Sequence, residues 1–392
     1  MHVPTSLGHP AGQQTALGYA AIFTAGKAIA RSAVVAAVAV LAGAGWASPP
    51  AVAPATTRAC AIQPGPASGP LSTTPSAAPV TLVFAGDVVL DGFPGRSIAR
   101  GNDPFAGVTS LLQADIRLLN LECVVATQGR ASDKIFNFRA HPRTLSVLRR
   151  HVDAVALANN HSGDFGPSAF AQMLSLLDGA GIAYFGGGRN LQEAHAPLIV
   201  ERQGLRVALL GYNEFMPRSF EAGPQSPGVA WSEDEQVAAD IRNARAVHGA
   251  HLVIPVMHWG WENDPVATAR QRQLAHLMVD AGADAVLGGH PHVTQEIEIY
   301  RNRPVIYSVG NFMMDSLDNE PQTRGWVARL DLNAAGVRGL RTDTVRLSPR
   351  GIPRPAPEEP AWCWQSGEAG ISHCPPGLAR KTVPALVGAK HP

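Results

Sequence analysis

The chain has 392 residues and 45% of them are hydrophobic, enough for one sizeable core or two small ones, which excludes disorder throughout. Its formal net charge is +1 and no run of like charges stands out, so neither a nucleic acid nor an anionic membrane surface is favoured as partner. Only 16% of residues are charged, while 39 Gly and 32 Pro mark a chain rich in turns and loops.

In chain order, Lys27 and Arg31 precede an uncharged run over residues 32–45, and small residues follow at Ala47 and Ala51. This pattern reads residues 1–47 as a signal peptide or membrane anchor, because the run has the length of an exported h-region and falls short of the ~20 residues of a spanning helix. An extracytoplasmic protein, secreted or anchored at its N-terminus, is the resulting expectation. Residues 48–78 form a Pro/Ala-rich linker, residues 79–348 one α/β domain, and residues 349–392 a Pro-rich tail that packs only in part on it. Of Cys60, Cys123, Cys363 and Cys374, the last two flank a short segment and suit either a local staple or two free thiols.

Within residues 79–348, short apolar runs alternate with amphipathic stretches, which predicts a layered α/β domain. Strands are expected at 80–85, 116–121, 154–158, 205–210, 251–257 and 283–287. Gly166-Pro167 opens a helix that Asp178 to Gly181 closes, Ser232 with Glu235 resembles a capping box, and Asp264-Pro265 opens a helix running to Ala281. Three further strands, 296–301, 305–309 and 326–332, predict an antiparallel region closing the sheet.

Nearly every predicted strand ends in a polar cluster. In open α/β sheets ligands bind beyond the carboxyl ends of strands, so these clusters should converge. They are Gly86-Asp87, Asn120-Leu121-Glu122, Asn159-Asn160-His161 with Asp164, His258-Trp259-Gly260-Trp261-Glu262, and Gly289-His290-Pro291-His292. Each has an ordinary structural alternative: Asp87 as a helix cap, Glu122 as a strand meeting solvent, Asn159-Asn160 as a turn, and His258 as a satisfied interfacial histidine. His290 and His292 are the sharpest pair, since alternate residues of an extended segment face one side. Carboxylates, an amide and imidazoles together suit zinc, manganese or iron as one or two divalent ions. Lys134 and Arg139, in a polar-aromatic stretch, are candidates to contact an anionic substrate or are ordinary surface charges.

Read in order, these motifs, together with Ser308-Val309-Gly310-Asn311-Phe312, resemble the capsule-synthesis (CapA, poly-gamma-glutamate biosynthesis) family over residues 80–346. That family is similar in turn to calcineurin-like metallophosphoesterases. The resemblance implies a four-layer α/β/β/α sandwich with a metal centre at one edge of two sheets. It implies Asp87 as the first carboxylate, Glu122 as the bridging one, Asn160 as the amide ligand, His258 and His290 completing one metal position, and His292 on the other. His161 then matches the histidine that protonates a leaving group, with Asp164 as its orienter. Two positions depart from the phosphoesterase pattern: Val89 stands where a histidine ligand is usual, and the bridging residue is glutamate rather than aspartate. The resemblance also implies an anionic polymer such as poly-gamma-glutamate as partner, together with a membrane-bound synthase. A noncatalytic polymer-binding subunit and a phosphoesterase or nucleotidase stay open as alternatives.

Overall fold

The computed structural model describes residues 79–216 and 218–375. The expected signal or anchor segment, the linker to residue 78, Cys60 and the tail from residue 376 lie outside the described residues.

The architecture follows from which face of each strand is apolar. Strand Val80–Val88 is buried along almost its whole length, as a central strand covered on both faces must be. Leu82 and Phe84 face a second sheet, while Val83 and Ala85 join a different cluster under helices. Strand Leu205–Asn213 divides the same way: Val207 and Leu209 meet the first sheet, whereas Ala208 and Leu210 pack beneath other helices. Alternation with period two therefore builds three apolar layers, and three such layers need four layers of secondary structure. The fold is the expected four-layer α/β/β/α sandwich.

In the first sheet the order is Ser372–His373, Trp362–Gln365, Gly336–Leu347, Arg324–Asn333, Val80–Val88, Ile116–Leu121, Ala154–Ala156, Ala183–Phe185. The last four strands run parallel to one another, and Arg324–Asn333 pairs antiparallel to Val80–Val88; the other two strands of the expected antiparallel region, Ile297–Tyr300 and Arg303–Ile306, pair with each other in the second sheet instead. Strands Leu205–Asn213, Leu252–His258, Val286–Gly289 and Arg303–Ile306 form the parallel centre of the second sheet. Helix Gly166–Ala180 buries Phe170, Met173, Leu174 and Leu177 against the outer face of the first sheet. Helices Asp234–Ala246 and Ala269–Ala281 cover the second with Val237, Ile241, Leu274 and Met278. Each such apolar side chain contributes about 1.5–3 kcal/mol when fully buried.

Two expected helix starts are corrected. Ser232 does not cap: its hydroxyl donates to the Glu214 carboxylate at 3.1 Å, and the helix begins at Asp234 after Glu233. The next helix opens at Ala269 rather than Asp264-Pro265, because Thr268 and Gln271 form a capping box that satisfies two orphan N–H groups. Gly166-Pro167 does open its helix, and Gly181, at φ 67°, closes it in the left-handed region.

Sheet pairing continues past residue 348, the expected domain boundary. Pro353–Pro355 and Trp362–Gln365 both pair with strand Gly336–Leu347, and Trp364 is fully buried between the sheets with its indole N–H donating to the Glu368 carbonyl at 3.0 Å. Cys363, next to Trp364, is disulfide-bonded to Cys374 across 11 residues, the local staple of the two sequence alternatives. Cys123 is a free thiol in the core, where burial pushes its pKa up to about 12 and leaves it inert as a nucleophile. Closing an 11-residue loop restricts the unfolded chain by about 2–3 kcal/mol on the chain-entropy account. Replacing both cysteines by serine is therefore expected to lower unfolding stability by that amount in urea titrations. An unchanged midpoint would mean that Trp364 holds this edge unaided.

Candidate metal centre

The sheets meet at the carboxyl ends of their parallel strands, and the polar clusters converge there. Asp87 and Glu122, at the ends of neighbouring strands in the first sheet, are both fully buried. Removing a carboxylate from water costs several kcal/mol unless charge and hydrogen bonds compensate. Asp87 has donors: the Asn120 amide at 2.8 Å and the His290 backbone N–H at 3.1 Å. Neither oxygen of Glu122 has a hydrogen-bond partner, and burial, then the charge of Asp87, push its pKa well above the usual carboxylate range.

The second sheet supplies imidazoles facing these carboxylates. His258 ends strand Leu252–His258, with Nε2 2.8 Å from Asn160 Oδ1, 3.1 Å from His290 Nδ1 and 3.4 Å from Glu122 Oε1. His290 is fully buried and its Nε2 has no partner. Gly289 lets this strand approach: a Cβ there would sit 2.8 Å from Asp87 Oδ1. His292 lies 3.6 Å from Asp87, 3.8 Å from Glu122 and 2.9 Å from Asn311 Oδ1. The segment carrying the two histidines is not extended as the alternation argument supposed. His290 has φ 94° and His292 φ 59°, so a doubly left-handed turn, held by Asn311 donating to the His292 carbonyl at 3.2 Å, aims both rings inward.

Ligand atoms of Glu122, His258 and His290 lie within 4.8 Å of one another, and so do those of Asp87, Glu122 and His292. A buried carboxylate without a hydrogen-bond partner, two imidazoles within reach of it and the Asn160 amide oxygen 2.8 Å from His258 Nε2 form an oxygen and nitrogen donor set that fits a divalent cation. His258 and His290 are neutral at pH 7: burial drives His258 down to about 3, and burial with the neighbouring imidazoles drives His290 well below its ordinary value. Burial also disfavours charge on His292, but the carboxylates of Glu122 and Asp87 outweigh it and raise its pKa.

A second group stands beside this one. His161 Nδ1 is 2.8 Å from Asp164 Oδ2, and Lys134 Nζ is 2.5 Å from Asp164 Oδ1 and 3.0 Å from the Asn160 carbonyl. Burial lowers the His161 pKa against the opposing hydrogen bond that its ring donates to Asp164. Phe138 covers the His161 ring at 4.5 Å, and its N–H donates to Asp164 Oδ2 at 2.7 Å. Lys134 is thus anchored to the histidine pair. Arg139 is not brought there: its guanidinium lies over the Phe165 ring at 4.3 Å and its backbone N–H donates to Asp91.

Residues without an assigned role also shape the site. Asn120 bridges Asp87 and His258, and it is held by Asn159 at 2.9 Å. Phe215 lies against the His290 ring at 3.9 Å, from a loop that carries no sequence signal of a ligand site. Val89 is buried in the apolar cluster outside the first sheet, so the usual histidine of the phosphoesterase pattern has a core valine in its place.

A linkage test follows from His258. In the unfolded chain it binds a proton near pH 6.5, whereas the folded chain resists protonation down to about 3. Stability from the neutral ring is therefore present above pH 6.5 and is lost as pH falls through that window, by up to about 1.4 kcal/mol per pH unit. His258→Asn is expected to flatten the acid limb of stability against pH in chelated samples. Equal slopes for the two proteins would contradict this protonation assignment.

Comparison with known proteins places these features. The sequence pattern of the bacterial capsule synthesis protein PGA_cap family matches residues 81–316. The PGA biosynthesis protein CapA of Bacillus subtilis (strain 168) is 30% identical over 68% of this chain and 70% of its own length. The capsule biosynthesis protein CapA of Bacillus anthracis is 29% identical, covering 64% and 62%. Among solved structures, the NAD nucleotidase of Haemophilus influenzae superposes with a TM-score of 0.35 at 13% identity, over 71% of this chain and 55% of that one. With its family pattern spanning more than half of the chain, this protein belongs to the bacterial capsule synthesis protein PGA_cap family.

Proposed function

We propose that this chain is an extracytoplasmic capsule-biosynthesis protein that processes an anionic surface polymer such as poly-gamma-glutamate at a metal-dependent site. The observation that carries the reading is the unpaired Glu122 carboxylate facing His258 and His290, directly beside the His161–Asp164 pair. The CapA relatives, named for PGA and capsule biosynthesis, support the polymer class. The disulfide supports an oxidising compartment, because such bonds rarely persist in a reducing cytoplasm.

Glu122, Asn160, His258 and His290 would hold one ion of zinc, manganese or iron, and Asp87, Glu122 and His292 a second. A divalent ion supplies Lewis acidity, lowering the pKa of water and polarising the bond to be cleaved. The protein residues do the rest. Asp164 accepts from His161 Nδ1–H, which fixes the neutral tautomer with Nε2 free of a proton; Nε2 takes a proton from water, passes it to the leaving group, and the ring returns to its neutral Nδ1–H form. Lys134 compensates the Asp164 charge, so the pair stays bound together without forcing His161 into its charged form. Half-buried Phe215 packs its ring against His290 at 3.9 Å and so restrains that imidazole.

Val89 in the core favours a second reading, a noncatalytic polymer-binding subunit of a membrane-bound synthase, because it leaves one metal position a ligand short. The two readings separate by experiment. Protein purified without a metal-binding tag is expected to carry near-stoichiometric metal by elemental analysis, and His290→Ala to lose it. Metal-loaded protein is expected to shorten poly-gamma-glutamate chains on sizing gels, with His161→Ala slowing that about 10²–10⁴-fold, the usual range for a general acid. Metal-loaded protein that binds the chains without shortening them, equally well as His161→Ala, would establish the noncatalytic subunit instead.

A further inference from the structure

We propose that Glu262 is the metal ligand that replaces the histidine missing at Val89, so that the centre holds two ions through a carboxylate supplied by the second sheet. The inference deepens the metal-site reading above and rests on it. The ligand atoms of Glu262, His290 and His292 lie within 4.8 Å of one another. Those of Asp87, Glu122 and His292 do as well, so His292 is common to both groups and links Glu262 to the two buried carboxylates.

The loop is built to present this carboxylate. Gly260, at φ 81°, turns the chain immediately after strand Leu252–His258, and a Cβ there would meet the Gln271 side chain at 2.8 Å. The Asn263 N–H donates to the Pro291 carbonyl at 2.8 Å, which ties the residue after Glu262 to the residue between the two histidines. Asn263 is itself in the left-handed region at φ 65°, and its side-chain oxygen accepts from Gln322 at 3.0 Å. Gln295 donates to the Asp264 carbonyl at 2.8 Å, fixing the far side of the turn. Both ends of the Glu262 backbone are thus fixed while its side chain stays exposed. An exposed carboxylate on a fixed backbone is a ligand that an incoming polymer carboxylate can displace without moving the buried ligands. The ligand exchange is chemically balanced: one carboxylate leaves the ion as another arrives, and no proton or electron is transferred.

The test is manganese binding to the full chain, read by elemental analysis after removal of free ion and by electron paramagnetic resonance of the coupled pair. The wild type is expected to bind two ions and show the coupled signal. Glu262→Gln, isosteric and at an exposed position, is expected to keep one ion, bind the second at least tenfold more weakly and lose the coupled signal. Asp264→Asn, two residues along the same loop, is expected to retain both ions. Two ions at wild-type affinity in Glu262→Gln would overturn the assignment while leaving the metal centre standing. A single ion in both proteins, at equal affinity, would do the same, and no ion in the wild type would remove the centre and this inference together.

Discussion

Two carboxylates buried side by side are the constraint from which the rest of the site follows. Asp87 and Glu122 sit at the ends of adjacent parallel strands, where strand pairing brings their backbones together and the interface between sheets excludes water. Like charges in such a place are costly, and the surrounding chain is arranged around that cost. Asn120 donates to one carboxylate, Gly289 thins the facing strand so that its backbone can approach, His258 faces Glu122 and His292 faces both. The four-layer packing makes this geometry available here, since stacking the two sheets brings strand ends from both to one place.

Much of this was legible in the sequence, because the signals are physical and local. Strands buried on both faces read as continuous apolar runs, and each of the six expected in the parallel layers overlaps an observed one. The polar residues that close those runs identified Asp87, Glu122, Asn160, His161, Asp164, His258, His290 and His292 as neighbours in space. Less legible were features set by a competing partner elsewhere in the chain. Ser232 has the sequence of a cap, but Glu214 takes its hydroxyl; Thr268 caps instead of Asp264-Pro265 because Gln271 returns its bond. Trp364 looked like part of a loosely packed tail, yet a gap between the sheets receives it. His290 and His292 converge through a left-handed turn, a conformation their side chains do not advertise. Asn120 and Glu262 were visible within motifs, but nothing in a single sequence distinguishes a buried bridge or a poised ligand from a polar neighbour.

Charge is also organised around the second group. Lys134 and Arg139 are five residues apart in one polar-aromatic stretch, and the fold separates their roles: Lys134 is drawn inward to Asp164, and Arg139 is left over Phe165. An ammonium, a carboxylate and an imidazole thus stand in series, with Asp164 shared between Lys134 and His161. His161 directly follows Asn160, whose side-chain oxygen lies 2.8 Å from His258 Nε2. The valine at position 89 and the glutamate at 262 belong to the same arrangement, one filling the apolar layer and the other standing over the site from the opposite sheet.

The most direct test of this account is anomalous diffraction from crystals of the full chain grown with zinc. The account predicts an anomalous peak at about 2.0–2.2 Å from Glu122, His258 and His290, the ordinary range for oxygen and nitrogen ligands of zinc. Zinc bound only at other residues, with Glu122 and the two histidines in contact with one another alone, would contradict it.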